Sequence, residues 1–81
     1  MKYVTVFEEK GRYYPHFDVS EVGRENGIEA GKRLFGAIPV YVGELQYVKQ
    51  GKIVTQFVSE ANKTGTFDSK RLEELLSVPC P

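Results

Sequence analysis

Ile38-Pro39-Val40-Tyr41-Val42-Gly43-Glu44-Leu45-Gln46-Tyr47-Val48-Lys49-Gln50-Gly51-Lys52-Ile53-Val54-Thr55-Gln56-Phe57-Val58-Ser59 is the stretch on which the reading of the fold turns. Ile38 to Val48 is rich in β-branched and aromatic side chains, which suit a pleated, half-buried surface. It reads as one long strand with a bulge or bend at Gly43. Lys49-Gln50-Gly51 reads as a turn. Lys52 to Ser59 reads as the returning strand, with Ile53, Thr55 and Phe57 on one face and Val54, Gln56 and Val58 on the other.

Toward the N-terminus, residues 2–8 alternate in the same way, with Tyr3, Thr5 and Phe7 opposed to Val4, Val6 and Glu8. Glu9-Lys10-Gly11 is a turn, since glycine is free to take positive φ. Residues 12–17 form a second strand, and Pro15, which has no N–H, places that strand at an edge or a bulge. Asp18 and Glu21 have the spacing of a capping box, and Phe17 and Val22 that of a hydrophobic staple. With Gly27 as a stop, they predict a short helix near 19–26, although Gly23 within it costs about 1 kcal/mol. Toward the C-terminus, residues 60–66 read as a polar loop. Asp68 is the N-cap of a helix near 69–77, with Leu72, Leu75 and Leu76 at helical spacing, Phe67 stapling onto Leu72, and Pro79 and Pro81 ending it. The expectation is a single domain, 1–81, of α+β, β-rich class: a small barrel or bent sheet of about four strands with two short helices.

Composition narrows the function. Eighty-one residues allow one small core. Residues 1–36 carry six basic and six acidic side chains and residues 37–81 five of each, so neither half offers a basic coat for nucleic acid or a polybasic membrane anchor. A single cysteine, Cys80, excludes an intrachain disulfide. No apolar run approaches the roughly 20 residues of a membrane span. The alternating start, soon reaching Glu8 and Glu9, is unlike a signal peptide, and a cytoplasmic protein is expected. A core this small raises the expectation of a homodimer.

Catalytic and metal-binding patterns are sparse. His16, the only histidine, has Asp18 two residues on, but neither further ligands nor a nucleophile at a recognisable spacing. Cys80 lies in a Pro-flanked tail rather than an electropositive site. Gly27-Ile28-Glu29-Ala30-Gly31-Lys32 falls short of a phosphate loop, because three residues instead of four separate the glycines and Arg33 follows the lysine. No enzyme, cofactor or metal is expected. The basic residues are better placed than numerous: Lys10 and Arg12 flank the first turn, Arg24 lies on the first helix, and Lys32 and Arg33 follow it, with Glu8, Glu9, Glu21, Glu25 and Glu29 interspersed.

Four segments carry a family resemblance: Val4-Thr5-Val6, Glu9-Lys10-Gly11-Arg12, Gly27-Ile28-Glu29-Ala30-Gly31-Lys32-Arg33-Leu34 and Gly51-Lys52-Ile53-Val54. In this order they resemble the AbrB/SpoVT-type swapped-hairpin DNA-binding domain over about residues 3–58. The chain departs from the family at Lys32, where an Asp is usual, and in a longer second hairpin. The resemblance implies two chains interleaving hairpins into one barrel and binding double-stranded DNA through the first hairpin, here Lys10 and Arg12 with Arg24, Lys32 and Arg33 in support. Arg12 is the candidate for a guanine edge. The opening strand–turn–strand also resembles that of HicB-type antitoxins. The expected function is therefore a small DNA-binding transcriptional regulator or antitoxin-like protein. The alternative is a protein-interaction module presenting Tyr3, Tyr13, Tyr14, Tyr41 and Tyr47 on a sheet face, because tyrosine is favoured at interfaces.

Overall fold

The computed structural model describes residues 3–19 and 21–77, apart from the side chains of Glu21, Arg24, Leu34 and Phe35; Pro79, Cys80 and Pro81 lie outside the described residues. Strands β1 (Tyr3–Glu9) and β2 (Arg12–Asp18) form the opening hairpin. Its two turn residues, Lys10 and Gly11, both have positive φ, 51° and 79°. That is the backbone of a type I′ turn, whose twist matches the flanking strands. β3 (Ile38–Glu44) pairs with the other side of β1, so the sheet is open and antiparallel in the order β2-β1-β3.

The expected fourth strand and the barrel are absent among the described residues. Residues 48–64 form helix α2 (Val48–Thr64), which takes in the expected turn at Lys49-Gln50-Gly51, the strand at 52–59 and most of the loop at 60–66. The buried residues of α2 are Gln50, Gly51, Val54, Val58 and Ala61. They recur at three and four positions, which is one stripe of a helix. The β-branched content of Ile53-Val54-Thr55 is a preference of at most about 1 kcal/mol per residue, and burial of that stripe outweighs it. The helix start is secured by Gln50, 5% exposed. Its Oε1 accepts from the Gln46 and Tyr47 N–H groups at 2.6 and 2.9 Å, and its Nε2 donates to the Leu76 carbonyl at 2.9 Å. Gly65, at φ 82°, closes the helix by donating its N–H to the Ala61 carbonyl.

The first helix is also longer than expected. α1 runs Glu21–Phe35 instead of stopping at Gly27. Asp18 is the last residue of β2, and its carboxylate lies 2.9 Å from His16 Nε2 instead of capping a helix. Gly23, Gly27 and Gly31 recur every fourth residue and share one helix face. A Cβ at Gly31 would sit 2.9 Å from the Phe7 ring, and one at Gly27 2.5 Å from His16 Nε2. Gly27 and Gly31 are the surface by which α1 comes close to the sheet. Gly36, at φ 65°, ends the helix.

Asp68 caps α3 (Ser69–Leu76), accepting from the Arg71 N–H at 3.1 Å. Phe67 packs against Tyr13 and edge-on to Phe57, with ring centroids 5.3 and 5.4 Å apart. The core lies between α2, α3 and one sheet face, and consists of Val4, Val6, Leu45, Val54, Val58 and Leu72. The opposite face of β1, Thr5 and Phe7, lies with α1. Thr5 is fully buried, and its hydroxyl has no partner among the described residues.

The expected irregularity at Gly43 falls instead at Val40, where Val6 pairs with Tyr41 but Phe7 with Pro39. The extra residue lets Val40 and Tyr41 both pack on the core. Gly43 lies under the Tyr41 ring, whose Oη would be 2.7 Å from a Cβ there. Burial pushes the Tyr41 phenol above its ordinary range, and the Glu73 carboxylate adds to the effect. A pKa raised on folding means that the folded state holds its proton when the unfolded chain has lost it. The contribution is therefore intact below about pH 10 and is lost as pH rises through the folded value. Alkaline unfolding followed by circular dichroism should show a steeper loss of stability above about pH 10 in the parent chain than in Tyr41→Phe. Equal slopes would refute the assignment.

Candidate functional site

α1 leaves the sheet end where β2 finishes and travels toward the first turn. Gly27 lies against His16 and Asp18, whereas Gly31, one helical turn on, lies against Phe7. The last turn of α1, with Lys32 and Arg33, is thus at the end of the sheet that carries Lys10 and Arg12. All four side chains are exposed. Lys32 and Arg33 also complement the negative end of the helix dipole. Arg24 is eight residues before Lys32, about 12 Å back along the axis at 1.5 Å per residue, and its side chain is outside the described set. The structure therefore brings four of the five expected basic residues to one end and sets Arg24 apart. Acidic side chains share this end. Glu9 pairs directly across from Arg12 and Glu8 precedes it, so the surface is mixed in charge.

Beside this end, a groove of about 370 Å³ opens between β2 and α1. Phe7, Ala30 and Gly31 make its apolar floor, and Glu9, Tyr14 and His16 are its polar groups. His16 presents its edge to Phe7, with centroids 6.4 Å apart, and its Nε2 lies 2.9 Å from Asp18 Oδ2, a buried oxygen with no hydrogen-bond partner among the described residues. Among the described residues, no three His, Cys, Asp or Glu side chains converge as metal ligands. A helix ending at Gly27 would not form this groove, because Ala30 and Gly31, which line it, lie beyond that point. The four-residue glycine period was the signal that could have found it.

The tyrosines are not gathered on one open face. Tyr13 and Tyr41 pack against the core beneath α2 and α3. Tyr14 faces the groove and Tyr47 immediately precedes α2, each 46% exposed. The physical reason is that helices cover both sides of the sheet. Gly51-Lys52-Ile53-Val54, the last of the four resemblance segments, lies in α2. No helix among the described residues is long and apolar enough to cross a membrane. No family model, curated protein or solved structure matches this chain.

Proposed function

We propose that this protein is a small DNA-binding regulator that grips the phosphate backbone with Lys10, Arg12, Lys32 and Arg33. The observation that carries this reading is the direction of α1, which takes its basic last turn to the same sheet end as the β1–β2 turn. A tight turn can present cations to phosphates with little obstruction, and phosphate contacts fix position before any base is read. The acidic neighbours Glu8 and Glu9 restrict the contacts to a few per chain.

With about four phosphates neutralised, log K should fall against log salt with a slope near −4. Replacing Lys10 and Arg12 together by Ala should reduce that slope by about 2. Lys52→Ala, on α2 beside Phe17 at the far end of β2, should leave it unchanged. A gel-shift titration against duplex fragments at two salt concentrations measures all three. No retardation at low salt, or a slope insensitive to the double substitution, would overturn the reading.

A second reading, a protein-interaction module, has its own support. Ile38 and Val42 on β3 are 60% and 41% exposed, and Tyr14 is exposed at the apolar groove. Loss of DNA retardation with retained binding to a protein partner would favour it.

A further inference from the structure

The two edges of the sheet are treated differently. On the β2 edge, Asn62 from α2 accepts a hydrogen bond from the Tyr13 N–H at 2.8 Å and donates Nδ2–H to the Tyr13 carbonyl at 3.0 Å. One side-chain amide does there what a neighbouring strand would do. Pro15, two residues on, offers no N–H at all, and Arg12, His16 and Asp18 add polar groups. These are devices that keep an edge from pairing.

The β3 edge has none of them at its centre. Because Tyr13 turns its backbone groups outward to Asn62, Glu8 opposite it turns its own toward β3. Alternation along β1 makes Val4 and Val6 do the same. Their partners Gly43 and Tyr41 therefore point inward, and Val42 and Glu44 point their N–H and C=O groups away from the sheet. Val40 to Gly43 is uncharged, and Glu44 is the only ionisable carboxylate on the strand.

We propose that this edge pairs antiparallel with β3 of a second copy of the chain, joining two three-stranded sheets into one of six. The strand is self-complementary about Val42. In a two-fold register centred there, Val42 faces its own symmetry mate and exchanges both backbone bonds with it. Tyr41 then falls opposite Gly43, a large residue against the smallest, and Val40 opposite Glu44. The bulge at Val40 and the missing N–H of Pro39 limit the pairing on one side, so the contact is short and the dimer concentration-dependent. The pairing is independent of the DNA reading, and it would double the number of basic ends per assembly.

Sedimentation of the full chain across the micromolar to submillimolar range tests it. A monomer–dimer equilibrium is expected, and Val42→Lys, at an exposed position, should weaken it at least tenfold while leaving the far-ultraviolet circular dichroism unchanged. The register is tested by cross-linking in a Cys80→Ser background. Cα atoms of a hydrogen-bonded antiparallel pair are about 5.5 Å apart, within reach of a disulfide. Val42→Cys should therefore link to its mate on oxidation, whereas Glu44→Cys, four residues out of register with its own mate, should not. A monomer at every concentration, a dimer indifferent to Val42→Lys, or equal cross-linking of both cysteine variants would overturn the proposal.

Discussion

Replacing Gly31 by valine will destabilise the protein by about 3 kcal/mol, at the upper end of what overpacking costs. A single Cβ at this position already lies 2.9 Å from two atoms of the Phe7 ring. Phe7 is 7% exposed and cannot swing into solvent. Valine adds two methyl groups and β-branching, so either α1 lifts from the sheet or the ring is driven into β1. Gly31→Ala separates the two opposing terms. It gains up to about 1 kcal/mol in helix propensity and loses it to the same contact, so its net effect should be small. Pairing it with Phe7→Leu should recover part of the loss, a coupling that a double-mutant cycle reads directly. Gly27 is the contrasting site. Its nearest neighbour is the tip of His16, whose side chain is 45% exposed and can move aside. Gly27→Ala should therefore be tolerated, although it disturbs the His16–Asp18 contact. Urea unfolding followed by circular dichroism suits these measurements, since the chain has no tryptophan. A Gly31→Val protein as stable as the parent would refute the close approach of α1.

The second large effect is at Leu72. It is fully buried, in one cluster with Val4, Val6, Leu45, Val54 and Val58. It is the only fully buried residue of α3 in that cluster, and half-buried Leu76 packs against the same cluster beside it. Truncation to alanine removes a leucine side chain and leaves a cavity, which costs about 2–5 kcal/mol. A domain of this length has about 4–12 kcal/mol in total, at 0.05–0.15 kcal/mol per residue. The loss is therefore a large fraction of the stability, and each kcal/mol should lower Tm by about 4–8 °C. Leu75, on the same helix but only half-buried, is the internal comparison and should cost less than half as much on truncation. Leu72→Met, which conserves volume, should cost less than about 1.5 kcal/mol. Equal losses at Leu72 and Leu75 would mean that α3 is not anchored as described.

Much of the local structure was legible. The alternation on either side of Lys10-Gly11 marks a hairpin, because a turn with positive φ at both residues matches the twist of the two strands it joins. Asp68 marks the start of α3, because a carboxylate there satisfies an otherwise orphaned N–H. The basic residues Lys10, Arg12, Lys32 and Arg33 were identifiable as belonging to one hairpin–helix unit, but the sheet end that they share was not, because it depends on the direction of α1.

The amino-acid sequence by itself determined the α+β character, the opening hairpin, the restriction of β2 to an edge or a bulge and the last helix cap. Each depends on contacts within a few residues. The tertiary structure alone decided what residues 48–64 became. Ile53-Val54-Thr55-Gln56-Phe57-Val58 satisfies a strand period and a helix period nearly as well. Only the burial of Val54, Val58 and Ala61 on the sheet, and the Gln50 amide bridging to Leu76, tips it to a helix. The same holds for α1. Glycines weaken a helix considered in isolation, but Gly27 and Gly31 let it approach His16 and Phe7 so closely that an added Cβ would lie under 3.0 Å from each ring. That approach sets the direction of α1, and the direction takes the last turn of α1, with Lys32 and Arg33, to the same end of the sheet as Lys10 and Arg12.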